Sequence, residues 1–308
     1  MSRATREAYG ETLVELVREG HDIMAVDADL AGSTKLADFQ KAFPKRFVDV
    51  GIAEQDMVGV AAGLSLTGRT VFTGSFAIFA TGRAYDQIRN TVCDSGLNVK
   101  ICPTHAGITV GEDGATHQSL EDIGMMRALP QMRVLVPADY WAAKAALCLA
   151  AEADGPFYVR MGRHKVPEIY DETFKGGVPH ATVLREGSDI TLVACGVEVA
   201  QSLAAADILA QEGISAEVVD VFSVKPLDED AILASAAKTG RVVSVEEHNV
   251  ATGLGAAVAE LLAEKLPTPM RFAGMRTLGT SAPGDVLLSH FGLDGEGIAA
   301  RVREFVLA

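Results

Sequence analysis

The sequence predicts an α/β fold of two consecutive three-layer domains, each a mostly parallel sheet covered by helices. Three observations predict it. Strand-length apolar runs alternate with segments of helical periodicity along almost the whole chain. One stretch, Gly162 to Pro179, breaks that rhythm and carries Pro167, Gly176, Gly177 and Pro179, the composition of a linker. Polar residues suited to chemistry recur just after the predicted strands, where open parallel sheets bind their ligands. The expected division is a first domain over residues 1–165, a linker over 166–182 and a second domain over 183–308.

The elements follow in order. Arg6 to Glu19 places Leu13, Leu16 and Val17 on one helical face, and Asp22 to Val26 is the first strand, ending in the acidic turn Asp27-Ala28-Asp29. Ser33 and Thr34 are candidate caps for a helix over Lys35 to Phe43, which Pro44 stops. A strand over Arg46 to Ile52 delivers Glu54 to the head of a helix over Asp56 to Leu66. Arg69 to Thr73 is the third strand, followed by Ser75 to Phe79 and a helix to about Val92. Leu97 to Cys102 is a buried strand; helix Leu120 to Ala128, strand Arg133 to Val136, helix Trp141 to Ala153 and strand Pro156 to Met161 complete the half. In the second half, strands at Ile190 to Ala194, Ser215 to Val221, Arg241 to Glu246 and Arg271 to Met275 alternate with helices at Val197 to Glu212, Asp228 to Ala237 and Gly253 to Lys265. A Pro283-Gly284 turn and helices to Val306 close the chain.

Bulk composition excludes several classes. With 48% hydrophobic and 22% charged residues the 308-residue chain is globular, not disordered. A net charge of −14 argues against nucleic acid as a partner, although it leaves room for a local basic pocket. Cys93, Cys102, Cys148 and Cys195 show no metal-ligand spacing and read as free thiols of a reducing compartment. No secretory signal and no membrane-length apolar run is present, so the expected address is the cytoplasm.

The densest chemistry lies in Cys102 to Gln118, C-P-T-H-A-G-I-T-V-G-E-D-G-A-T-H-Q. His105 and His117 supply groups that titrate near neutral pH, Glu112 and Asp113 supply charged acceptors, and Gly107, Gly111 and Gly114 permit tight turns. Function favours such loops between rigid elements. Glu54, after an apolar strand, could share a proton with a ligand nitrogen; the alternative is a helix N-terminal carboxylate facing the macrodipole. Phe76 and Phe79 read either as core or as a stacking platform. Arg160, ending its strand, could fork onto a phosphate or form an ordinary ion pair. His248 reads as a loop histidine. Gly253-Leu254-Gly255 lacks the third glycine of a dinucleotide loop, so helix packing is its better explanation.

D-V-G-I-A-E-Q at Asp49 to Gln55, G-E-D-G-A-T-H-Q at Gly111 to Gln118, V-P-A-D at Val136 to Asp139 and S-A-P-G with H-F-G-L near the end resemble transketolase. The resemblance covers essentially the whole chain and implies a pyrimidine-binding domain followed by the family's C-terminal domain. The family's diphosphate- and Mg²⁺-binding domain carries G-D-G, and none occurs here. The resemblance is therefore to the C-terminal subunit of a split transketolase. It implies thiamine diphosphate as a shared cofactor, Mg²⁺ ligands on an N-terminal partner subunit, an α2β2 assembly, sugar phosphate substrates, and no activity for this chain alone. It gives Glu54 the hydrogen bond to N1′ of the cofactor's aminopyrimidine. His105 and His117 contact substrate and assist proton transfer, and Asp113 reads a sugar hydroxyl. Ser33 and Arg160 fall at the sugar phosphate, and Asp29 near the cofactor. Counting from either flank shifts the aromatic residues at the pyrimidine ring by one position, which favours Phe79 and leaves Phe76 and Tyr85 open. No metal ligand is expected in this chain.

Three other readings share parts of the pattern: a deoxyxylulose-phosphate synthase-like enzyme, the β-subunit of a 2-oxo-acid dehydrogenase, and a regulatory or binding subunit with a degenerate site. The two-histidine loop opposes the second, and the joint presence of Glu54, His105, Asp113 and His117 opposes the third.

Overall fold

A computed structural model describes residues 1–307. Strand β1 (Ser2–Ala4) precedes helix α1 (Ala8–Arg18), whose Tyr9, Leu13 and Leu16 are buried while Glu11 and Glu15 face out. Then come β2 (Ile23–Asp27), the short α2 (Ala31–Thr34) and α3 (Ala37–Ala42), β3 (Phe47–Asp49), α4 (Glu54–Ser65), β4 (Thr70–Gly74) and β5 (Val99–Ile101). Next in the half are α5 (Asp122–Arg127), β6 (Arg133–Leu135), α6 (Tyr140–Glu152), β7 (Phe157–Val159) and β8 (Lys165–Pro167). The second half runs β9 (Thr182–Arg185), β10 (Ile190–Ala194), α7 (Glu198–Gln211), β11 (Ala216–Asp220), β12 (Ser223–Lys225), α8 (Glu229–Thr239) and β13 (Val242–Asn249). It ends with α9 (Leu254–Lys265), β14 (Met270–Met275), α10 (Gly284–His290) and α11 (Gly295–Val306).

The first sheet has the order β12-β6-β7-β5-β4-β2-β3 and the second β14-β13-β10-β11-β9. Within them only β12 against β6 and β9 against β11 are antiparallel. The mostly parallel α/β prediction therefore holds. Alternate residues of β2 feed opposite layers: Ile23 and Ala25 pack with Tyr9 and Phe72, whereas Met24 and Val26 pack with Met57 and Ile101. The latter core runs on into the second half through Val193, Val219 and Val242, so apolar contact joins the two. A third core lies between the second sheet and α7 and α11.

Three local departures matter. β12, from the second half, adds an edge to the first sheet by pairing Ser223 with Leu135, a crossing that local periodicity does not signal. The predicted helix over Lys35 to Phe43 is interrupted, because Lys35 adopts a left-handed conformation (φ 76°) between α2 and α3. Its carbonyl lies against Gly10 of α1, where a Cβ would collide with it. The predicted helix to Val92 is wound at Phe79–Arg83 and Gln87–Cys93 as π-helix. Each π turn takes up one extra residue relative to α-helix. No helix among the described residues is long and apolar enough to cross a membrane.

Candidate active site

The carboxyl ends of the first sheet's strands converge. β4 continues into Ser75 and Phe76, and β5 into Thr104 and His105; an isolated bridge pairs Phe76 with Thr104. That register stacks the His105 ring on Phe76 at 3.8 Å and Phe76 on Phe79 at 6.0 Å. The His117 ring stands edge-on to both phenylalanines, at 6.2 and 5.2 Å. Edge-to-face and offset stacks are the favoured aromatic geometries. Phe76 and Phe79 are thus a stacked platform as well as a boundary of the core.

His105 is buried and held in a left-handed conformation (φ 58°) that an L-residue adopts only when its surroundings fix it. Arg6 Nη1 lies 3.1 Å from His105 Nε2 and donates to the Ser33 carbonyl at 2.9 Å. A guanidinium only donates, so Nε2 must accept, and the proton resides on Nδ1, which donates to Thr104 Oγ1 at 2.7 Å. Burial, then the charges of Arg6 and Arg163 and the proximity of His117, push the His105 pKa down to about 3. This corrects the expectation of a group titrating near neutral pH. His105 is a neutral imidazole of fixed tautomer at physiological pH, suited to orient a hydroxyl.

Glu54 begins α4, so its carboxylate faces the positive end of the helix, and the residue is only 5% exposed. Its Oε1 accepts from Arg83 Nη1 at 2.9 Å, and the Arg83 guanidinium lies 4.1 Å from the Phe79 ring centroid. A continuous chain of contacts therefore runs from Glu54 through Arg83, Phe79, Phe76 and His105 to Arg6 and Ser33. Arg6 Nε is buried without a partner, an orphaned donor beside that chain.

Asp113 is exposed, and Arg163 reaches its carboxylate at 3.4 Å and that of Glu112 at 3.6 Å while donating to the Val110 carbonyl. The second domain braces the loop: Gln118 donates to the Thr280 carbonyl at 2.9 Å, Ser281 donates to the Glu112 carbonyl at 2.6 Å, and Thr109 donates to Glu247. Gly107 (φ 81°) runs so close to the Glu247 carboxylate that a Cβ would overlap it. Asp29 is exposed at the corner of β2 and β3, where its backbone N–H donates to Asp49. Its side chain joins no contact of the chain above.

Arg160 requires a correction. Instead of opening to a ligand, its side chain is 4% exposed and locked between Asp122 (2.7 Å) and Glu247 (3.5 Å). Burial alone would favour losing the proton, but Asp122 and Glu247 outweigh it and hold the guanidinium charged. Tyr158 completes the cluster by donating to Asp122 at 2.6 Å. Arg160 thus cements the two halves, and the cations at the site are Arg6, Arg83 and Arg163, none singled out from sequence. Arg163 lies one turn of loop beyond Arg160; the signal for choosing between them is burial, which spacing does not report. His248 is fully buried, accepts from the Ile123 N–H and donates to the Asn249 carbonyl, a satisfied histidine. Gly253 and Gly255 pack against Glu246, whose carboxylate accepts from the first N–H groups of α9, so helix packing explains them.

Fold and site together define a two-domain α/β protein with a cluster of aromatic, histidine and arginine side chains at the strand ends and a buried carboxylate, Glu54, at its edge. The family description "Transketolase, pyrimidine binding domain" matches residues 1–168 and "Transketolase, C-terminal domain" residues 180–298. This chain belongs to the transketolase family, a family of thiamine-diphosphate-dependent transferases. It is 47% identical over 308 residues to a "Putative transketolase C-terminal section" of Methanocaldococcus jannaschii, covering 98% of this chain and 96% of that protein. It is 42% identical over 300 residues to a 6-deoxy-6-sulfo-D-fructose transketolase subunit of Clostridium sp. (strain MSTE9), covering 97% and 93%. Human transketolase is 38% identical over 308 residues, but the chain spans only 49% of its length. A solved structure described as "Split gene transketolase, inactive beta4 tetramer" superposes with a TM-score of 0.92 at 48% identity, over 100% of this chain and 99% of that one. The chain thus resembles the subunits of split transketolases along its full length.

Proposed function

We infer that this chain is the C-terminal subunit of a two-chain transketolase that moves a two-carbon ketol unit between sugar phosphates. The observation that carries this reading is the single contact chain joining Glu54, the Phe79–Phe76–His105 stack and Arg6. A flat ring seated on Phe79 with its nitrogen at Glu54 suits an aminopyrimidine, and a buried carboxylate at a helix head is the matching acceptor. Thiamine diphosphate, when bound, supplies the carbanion chemistry of the transfer. Glu54 would hold a proton against the ring nitrogen, and Arg83 would have to leave that carboxylate for the ring to enter. His105, with its proton on Nδ1 and Nε2 accepting from Arg6, would turn Nε2 to a substrate hydroxyl once that guanidinium moves onto the substrate, and His117 would exchange a proton with it. Asp113 would read a sugar hydroxyl. Arg6, with its orphaned Nε, and Arg163 are the cations for the sugar phosphate, with Ser33 beside them.

The reading assigns Mg²⁺ and the diphosphate to an N-terminal partner chain. Self-association within an α2β2 assembly is supported by the outer face of α4. Gly59 and Gly63 there have open space above them, between Ile52 (76% exposed) and Leu66 (74% exposed). Two glycines inside a helix cost about 1 kcal/mol each relative to alanine, a cost that close approach of a second helix offsets. A cytoplasmic setting suits the four free cysteines.

The reading is tested by mixing the chain with a G-D-G-bearing partner, thiamine diphosphate and Mg²⁺ and comparing donors. Transfer from xylulose 5-phosphate to an aldose phosphate supports it. Release of CO₂ from pyruvate, without ketol transfer, would replace it with a synthase- or dehydrogenase-like reaction.

A further inference from the structure

The second domain holds another cluster of cations, away from that site. Beside the edge strand β14, Arg271, Phe272 and Arg276 face Arg301, Glu304 and Phe305 of α11 across a cavity of about 320 Å³. Three guanidinium groups meet there in a chain of net charge −14, with Glu304 the single carboxylate in the lining. Glu304 is in no ion pair with them among the described residues, so the lining keeps an excess of two positive charges. The neighbouring Arg303 shows the alternative: Glu212 holds it at two points, 2.6 and 2.7 Å. By contrast Arg301 Nε is buried without a hydrogen-bond partner, and the hydrogen bond Arg271 makes is to its neighbour's carbonyl. The Arg271 guanidinium lies 4.8 Å from the centroid of Phe305, which holds it in place over an apolar wall.

An orphaned guanidinium donor costs free energy unless a ligand satisfies it, and planar forked donors match phosphate oxygens. We propose that this cavity binds a small phosphate ester. Arg271, Arg276 and Arg301 receive the phosphate, and Phe272 and Phe305 flank its organic part. Occupancy would bear on the first site through the backbone, because the segment leaving Arg276 carries Thr280 and Ser281, the residues that brace the Gly111 to Gln118 loop.

Calorimetric titration of the full chain with inorganic phosphate tests this. The Arg163→Ala background weakens the phosphate position proposed at the strand ends of the first sheet, so the two sites are separable. The expected result is that Arg163→Ala protein still binds phosphate. Adding Arg276→Gln and Arg301→Gln should then weaken binding about tenfold or more, as loss of charge-assisted hydrogen bonds predicts. Arg276→Gln alone, at an exposed position, serves if the double change impairs folding. Phosphate binding lost with Arg163→Ala alone, or unchanged when Arg276 is replaced, overturns the proposal without touching the reading of the first site.

Discussion

Replacing Glu54 by glutamine separates its chemistry from its structural role. The side chain keeps its shape and can still accept from Arg83, so only the charge is lost. Arg83 is 53% exposed and stays solvated, so the screened pair contributes less than about 1 kcal/mol to stability. For a chain of this size that corresponds to a shift in thermal midpoint of no more than about 4 °C. The functional loss is much larger. A charge-assisted hydrogen bond to the cofactor is worth about 1.5–3 kcal/mol, or roughly 10- to 150-fold in affinity. Loss of positioned proton exchange lowers turnover by a further factor of about 10² to 10⁴. The assay is ketol transfer by the reconstituted complex at saturating thiamine diphosphate, alongside calorimetric melting. Turnover within about twofold of the parent in a folded variant would refute the role assigned to Glu54. A collapse of the midpoint would mean that the carboxylate is a structural group.

Arg160→Ala leaves Asp122 and Glu247 buried without their cation and should cost about 3–5 kcal/mol. Arg163→Ala, at 36% side-chain exposure, should melt near the parent and raise KM for a phosphorylated sugar; the opposite pattern would restore Arg160 to the site. Gly107→Ala forces a side chain onto the Glu247 carboxylate at a left-handed position, so a loss of about 1–3 kcal/mol or more is expected by chemical denaturation. His105 has a folded-state pKa near 3 against about 6.5 unfolded, so between those values the unfolded chain takes up the extra proton. Its contribution is present above pH 6.5 and is lost as pH falls, by at most about 1.4 kcal/mol per pH unit. His105→Asn, which tolerates the left-handed backbone, should therefore lose less stability than the parent between pH 6.5 and 4.5. Parallel stability curves would refute the neutral-imidazole assignment.

Much of this was legible in the sequence because it is local. The strand–helix alternation, the two halves and the position of Glu54 at a helix head follow from periodicity and neighbouring residue types. The loop Cys102 to Gln118 stood out by composition, and its histidines do meet the Phe76 and Phe79 rings. Long-range features were not legible. Arg6 lies 99 residues from the His105 it orients, and Arg83 lies 29 from Glu54. The choice between Arg160 and Arg163 depends on Glu247, 87 residues from Arg160 in the other half. The π turns after β4 are not legible either, since propensity does not distinguish i→i+5 from i→i+4 bonding. The pKa of His105 is beyond local sequence for the same reason: it depends on burial and on two arginines that the fold brings together.

In the proposed function this chain supplies one half of a shared catalytic site. The most direct measurement is ketol transfer as this chain is titrated into a fixed amount of the N-terminal partner with thiamine diphosphate and Mg²⁺. The predicted result is no turnover from either chain alone and a rise that saturates at equimolar chains. Turnover by this chain alone, or none from the folded mixture, would contradict it.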